Sequence, residues 1–96
     1  MPLLMIAKAV ILNPEKFANY VEGAGKLMLD HGVEVVMRGR YDHTLKGATQ
    51  GEHIMAAFRY DSRDTLEAFF GSPAYAELIP LRDEACEMEF QVYEEL

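Results

Sequence analysis

The sequence predicts an α+β fold, a four-stranded antiparallel sheet with its helices gathered on one face. Three observations predict it. Apolar stretches and helix-capping signals follow one another in the order strand, helix, strand, strand, helix, strand. The three later strands each split, at a period of two, into a wholly apolar side and a mixed side. No repeat, linker or low-complexity segment interrupts the 96 residues, so a single domain over residues 1–96 is expected. That element order is the split βαβ, or ferredoxin-like, arrangement.

Leu3 to Leu12 is apolar throughout except for Lys8, the pattern of a strand buried on both faces. Asn13-Pro14-Glu15 then supplies an N-cap, a proline at the first helical position and an early acid. Phe17, Tyr20, Val21, Ala24, Leu27 and Met28 recur at helical spacing. His31 suits the C-terminus of that helix, and Gly32 suits the left-handed residue that closes it. Gly23 and Gly25 each weaken the helix by roughly 1 kcal/mol relative to alanine. They are expected to admit close approach of another backbone.

Val33 to about Tyr41 reads as a strand, Asp42 to Gly51 as a polar hairpin loop, and His53 to Tyr60 as the next strand. Asp61 or Ser62 caps a helix running to Phe70. In the stretch GSPAYAELIPLR, Gly71 is expected to end that helix in the left-handed conformation. Ser72 caps the next helix and Pro73 fills its first turn. Pro80 has no amide hydrogen and its ring opposes the carbonyl of Ala76, so two short helical pieces or one kinked helix are expected. Met88 to Tyr93 is the last strand.

Parity places Val33, Val35, Met37, Ile54, Ala56, Phe58, Met88, Phe90 and Val92 toward the helices. The opposite side collects Val36, Arg38, His53, Met55, Ala57, Arg59, Glu89, Gln91 and Tyr93. This second face mixes apolar and charged residues, which suits cover by another sheet. A homodimer with two sheets packed together is therefore expected.

Composition removes several classes of function. The net charge is −7, with ten of the sixteen acids in residues 61–96, and no basic stripe exists to meet phosphates. Nucleic acid is not an expected partner. No apolar run approaches the roughly 20 residues of a membrane span. The apolar start lacks a basic leader and reads as a strand, and Cys86 is the only cysteine, so a cytoplasmic protein is expected. There is no phosphate loop, GxSxG or HExxH motif, and His31, His43 and His53 form no metal-ligand pattern. No cofactor and no metal are expected.

Three groups of residues remain as candidates. Arg38 and Arg40 share a strand face and, with Arg59, can form an anion site. The alternative is pairing with Glu34, Glu52 or Glu89. His43 beside Asp42 can act as a tuned base, or simply as loop polarity. Tyr75 and Arg82 lie seven apart, on one face of an unbroken helix. They either line the space between helices and sheet, or serve as a core aromatic and an arginine paired with Glu77 or Asp83.

The helix start NPEKFANY, the Gly32 turn into a strand ending Arg38-Gly39, Phe58 before a capped helix, and Ser72-Pro73-Ala74-Tyr75 trailed by Leu81-Arg82 resemble the bacterial domain-of-unknown-function family 1330 (DUF1330). The likeness covers nearly the whole chain. It implies the dimeric α/β-barrel version of the ferredoxin-like fold, and relatives in that superfamily include cofactor-independent oxygenases, lactone isomerases and haem enzymes. The sequence departs from the family pattern at Arg40, where a second glycine is usual, and at Ala57 and Lys46, where acids are usual. Together the residues and the resemblance make Tyr75, Arg82 and His43 the catalytic candidates. Arg38, Ser72 and Arg59 are the candidates for holding a small anionic or aromatic ligand. Three functions stay open: a cofactor-independent enzyme of oxygenase or isomerase type, a non-catalytic ligand-binding or stress-related module, and a structural dimer without ligand.

Overall fold

A computed structural model describes residues 1–96. The elements are β1 (Leu3–Ile11), α1 (Pro14–Asp30), β2 (Glu34–Arg40), β3 (Ile54–Tyr60), α2 (Arg63–Phe70), α3 (Pro73–Ala85) and β4 (Cys86–Glu94). The sheet order is β2-β3-β1-β4, and every neighbouring pair is antiparallel. This is the ferredoxin-like arrangement, with the helix expected after Ser72 added as α3 between α2 and the last strand.

Local chemistry starts and stops each helix. Asn13 Oδ1 accepts from the Lys16 amide at 3.0 Å and Pro14 follows it. Gly32 has φ +68°, the left-handed closure that glycine adopts without penalty. The His31 ring nitrogen Nδ1 donates to the Leu27 carbonyl at 2.9 Å, adding a side-chain cap to the same end. Ser62 Oγ and Ser72 Oγ accept from the Thr65 and Tyr75 amides and open α2 and α3.

The central strand divides the molecule. Leu3, Met5, Ala7 and Ala9 are buried, while Leu4, Ile6, Lys8 and Val10 between them are half-buried. Met5 and Ala7 share one cluster with Tyr20 and Ala24 of α1, Phe69 of α2 and Tyr75 of α3, so all three helices cover this one face. The molecule is a two-layer slab, 35 × 35 × 15 Å. Phe69, Phe70, Tyr60, Tyr75 and Phe90 meet edge-on or tilted at one end, as in the Phe69–Phe70 pair at 5.0 Å and 81°. Such aromatic pairs each contribute about 0.5–1.5 kcal/mol beyond their buried area.

Three expectations are corrected and one is narrowed. First, the register of β2 against β3 shifts between Val35 and Met37. Val35 pairs with Phe58 and Met37 with Ala57, leaving Val36 as the extra residue of a β-bulge. Beyond it the parity reverses. Met37 now shares the helix-free face with Ala57, and Arg38 sits opposite Ala56 on the helix face.

Second, α3 runs as one helix through Pro80, so of the two alternatives the one-helix reading holds and the two short pieces do not form. Ties at both ends hold it. Ser72 caps its start, and the Leu12 and Asn13 amides both donate to the Ala85 carbonyl, at 2.9 and 3.0 Å. Third, Gly71 has φ −87°, which is right-handed rather than left-handed. Fourth, Gly23 accommodates a side chain, Leu78 of α3, rather than a backbone.

Gly71 is needed for space instead of for conformation. A Cβ there would lie 2.9 Å from the Glu67 carbonyl oxygen, a backbone atom that cannot turn aside. Gly71→Ala is expected to destabilise the fold by about 1–3 kcal/mol, read as a lower urea midpoint at unchanged m-value.

Candidate functional site

Four alanines leave a gap between α1 and the sheet. Ala7 and Ala56 are cross-strand partners, Ala9 follows on β1, and Ala24 faces them from α1. With no side chain beyond Cβ at these positions, the layers enclose a cavity of about 160 Å³. Phe17, Tyr20, Val21 and Met28 of α1 complete the helix wall. Val35, Ile54, Phe58, Met88 and Phe90 complete the sheet wall. Only two of the fifteen lining residues are not hydrophobic, Gly25 and Arg38.

The bulge at Val36 delivers Arg38 to this wall. Bulges often re-aim one side chain in this way next to a functional site. The Arg38 guanidinium has no ion-pair partner. Arg40 pairs with Glu52 at 3.3 Å. Arg59 pairs with Glu34 and, through two nitrogens, with Glu95. Arg59 also lies across from Leu4 and Glu34, on the face without helices. The expected three-arginine anion site therefore does not form. Arg59 is occupied in a cluster of acids, and its hydrogen bonds hold the Glu95 carboxyl below the usual range.

Tyr75 and Arg82 do meet, although neither lines the cavity. Arg82 Nη1 donates to Tyr75 Oη at 3.1 Å, and the Tyr75 and Tyr20 hydroxyls are 2.9 Å apart. The guanidinium carbon of Arg82 lies 5.8 Å from the centroid of Phe90, a ring on the cavity wall. Arg82 also contacts its neighbour Asp83 at 3.1 Å. The chain Arg82–Tyr75–Tyr20 thus runs behind the wall and reaches the cavity only at Tyr20. Burial first, then the hydrogen bond with Tyr75, pushes the Tyr20 hydroxyl well above the ordinary tyrosine value. Tyr20 remains a neutral phenol across the physiological range.

The other candidates lie elsewhere. Ser72 is used locally, accepting from the Tyr75 amide at 3.1 Å and donating to the Phe69 carbonyl at 2.8 Å. His43 is exposed in the β2–β3 loop, with its Nδ1 2.5 Å from Asp42. It lines a separate polar concavity with Arg40, Tyr41 and Gln50. Burial raises the pKa of the Cys86 thiol and leaves it little nucleophilic character. No group of three or more histidine, cysteine, aspartate or glutamate side chains is placed to hold a metal ion.

Two site features escaped the sequence reading. Tyr20 occupies an ordinary apolar position in the α1 pattern, and nothing local distinguishes its hydroxyl. The void arises from alanines on three elements, visible only once strands are paired.

Architecture and cavity together define a ferredoxin-like α+β protein with a ligand-sized space between helices and sheet. The chain belongs to the family described as Domain of unknown function (DUF1330), whose model matches residues 2–96. Its fold is similar to that of a protein of unknown function from Rhodopseudomonas palustris, with TM-score 0.85 and 20% identity over 99% of this chain and 82% of that one. It is similar also to SnoaB, a cofactor-independent oxygenase from Streptomyces nogalater, with TM-score 0.74 and 7% identity over 99% and 93% of the two chains. A possible oxidoreductase from Bacteroides thetaiotaomicron aligns with TM-score 0.63 and 14% identity over 98% and 97%. No curated protein matches the chain. No helix is long and apolar enough to cross a membrane.

Two tyrosines in the aromatic cluster should respond oppositely to loss of the hydroxyl. Tyr75→Phe strips Arg82 and Tyr20 of a shared partner and is expected to cost about 1–3 kcal/mol. The Tyr60 hydroxyl is buried with no partner, so Tyr60→Phe is expected to leave stability unchanged or raise it. Chemical denaturation of both variants checks the contrast.

Proposed function

We propose that the cavity binds a small organic anion, with its apolar body among Ala7, Ala24 and Ala56 and its charge at Arg38. One observation carries this reading: a single arginine without an ion-pair partner stands on the wall of an otherwise apolar cavity. A guanidinium there offers a planar pair of donors to a carboxylate. The volume matches one ring, since an apolar cavity of about 150 Å³ accommodates benzene.

Binding fits the lining better than catalysis does. The fold likeness to a cofactor-independent oxygenase brings that reaction type into view. Such chemistry, or an isomerisation, needs a base beside the ligand. The cavity wall holds no carboxylate and no histidine, and burial keeps Tyr20 protonated. Tyr75 and Arg82 then serve to position Tyr20, and His43 has no part in the site.

Arg38→Gln tests the reading. Titration with benzoate, followed by calorimetry or by methyl shifts, is expected to show roughly 10- to 100-fold weaker binding, the equivalent of one charge-assisted hydrogen bond. The melting temperature is expected to stay unchanged, because Arg38 is exposed. Equal affinity of both proteins for benzoate would sink the proposal.

We further propose that the helix-free sheet face pairs with a second copy of the chain. The bulge adds Met37 to this face, in one row with Ala57 and Ile6 across three strands. Met37 is 47% exposed. Analytical ultracentrifugation is expected to show a dimer for the wild type and a monomer for Met37→Lys. A monomeric wild type at micromolar concentration contradicts it.

A further inference from the structure

Two glycines interrupt the middle of α1, and only one has a packing reason. A Cβ on Gly23 would lie 2.9 Å from Leu78 Cδ2. A Cβ on Gly25 would meet no atom within 4 Å, and its backbone is ordinary helix. Mid-helix glycine is less stable than alanine, so Gly25 weakens α1 without relieving any clash.

Its position explains what the missing side chain provides. Gly25 lines the cavity and is exposed to solvent, as are Val35 and Arg38 on β2. Ala7, Ala24 and Ala56 line the same cavity and are buried. The buried residues form a floor and the exposed ones a mouth. The mouth therefore opens between α1 and β2, with the one cation on its rim.

We propose that Gly25 is the size-selecting residue of this mouth, and that the ligand is a monocyclic carboxylic acid that enters ring first and stops with its carboxylate at Arg38. The bare helix surface at Gly25 keeps the gap wide enough for one ring. A volume of about 160 Å³ matches a single ring better than two fused ones. This inference rests on the anion-binding reading for the carboxylate, while the role of Gly25 in access does not.

Benzene, benzoate and 2-naphthoate separate the two. Uptake is followed by NMR of the Met28, Ile54 and Met88 methyls, which border the cavity. Benzene is expected to enter the wild type, and Gly25→Leu to slow its association at least tenfold. Leucine is a strong helix former, so this variant is expected to fold. If it does not, Gly25→Ala carries the test, with a higher melting temperature and association slowed by a smaller factor.

Wild-type protein is expected to bind benzoate at least tenfold more tightly than 2-naphthoate. Unchanged benzene association in both Gly25 variants, no benzene uptake by the wild type, or equal affinity for benzoate and 2-naphthoate each overturns the inference. Arg38-dependent benzoate binding that ignores Gly25 removes the mouth and leaves the anion site. Gly25-dependent benzene uptake without benzoate binding confirms the mouth and rejects the carboxylate.

Discussion

Strand β1 lies between β3 and β4, and its alternation of Leu3, Met5, Ala7 and Ala9 against Leu4, Ile6, Lys8 and Val10 sets the two sides of the molecule. A slip of one residue would turn every buried side chain outward. The pairings of Met5 with Phe58 and Val92, and of Ala7 with Ala56 and Phe90, carry that choice across to the neighbouring strands. The three helices then have a single apolar surface to cover, and the cavity lies on the same surface.

Packing on that surface is uneven. At one end aromatic rings of β3, α2, α3 and β4 interlock. Toward its centre, alanines of β1, β3 and α1 cannot fill the space between the layers, and a cavity remains. Unfilled volume costs stability because its lining atoms lose dispersion contacts. The cavity is therefore made by omission, with small residues where a tightly packed core would carry larger ones.

Arg82, Tyr75 and Tyr20 connect α3 to α1 behind the cavity. Each hydroxyl in the Tyr20–Tyr75 pair finds a partner, and Arg82 adds a charged donor to Tyr75. A satisfied polar network inside an apolar layer fixes one relative placement of its helices, since any other placement strands a donor. That role explains why the serine-proline-x-tyrosine element matters to the fold even though Ser72, Tyr75 and Arg82 stay outside the cavity.

The sequence by itself determined the order of elements, the caps at Asn13, Ser62 and Ser72, the left-handed Gly32 and the helix-facing set on β3 and β4. These follow from local propensity and from a side-chain period that each segment carries alone. It also marked Arg38, Tyr75 and Arg82 as notable, though it put Arg38 on the wrong face and left open whether Tyr75 and Arg82 line the space between helices and sheet or serve as a core aromatic and a paired arginine. Only the tertiary structure decided those points. The bulge at Val36 depends on how β2 pairs with β3, and one unpaired residue reverses the parity that pattern reading assumes. The anchoring of the end of α3 beyond Pro80 depends on Leu12 and Asn13 reaching Ala85 from a distant part of the chain. The cavity depends on alanines far apart in sequence becoming neighbours, and no local signal records an empty space.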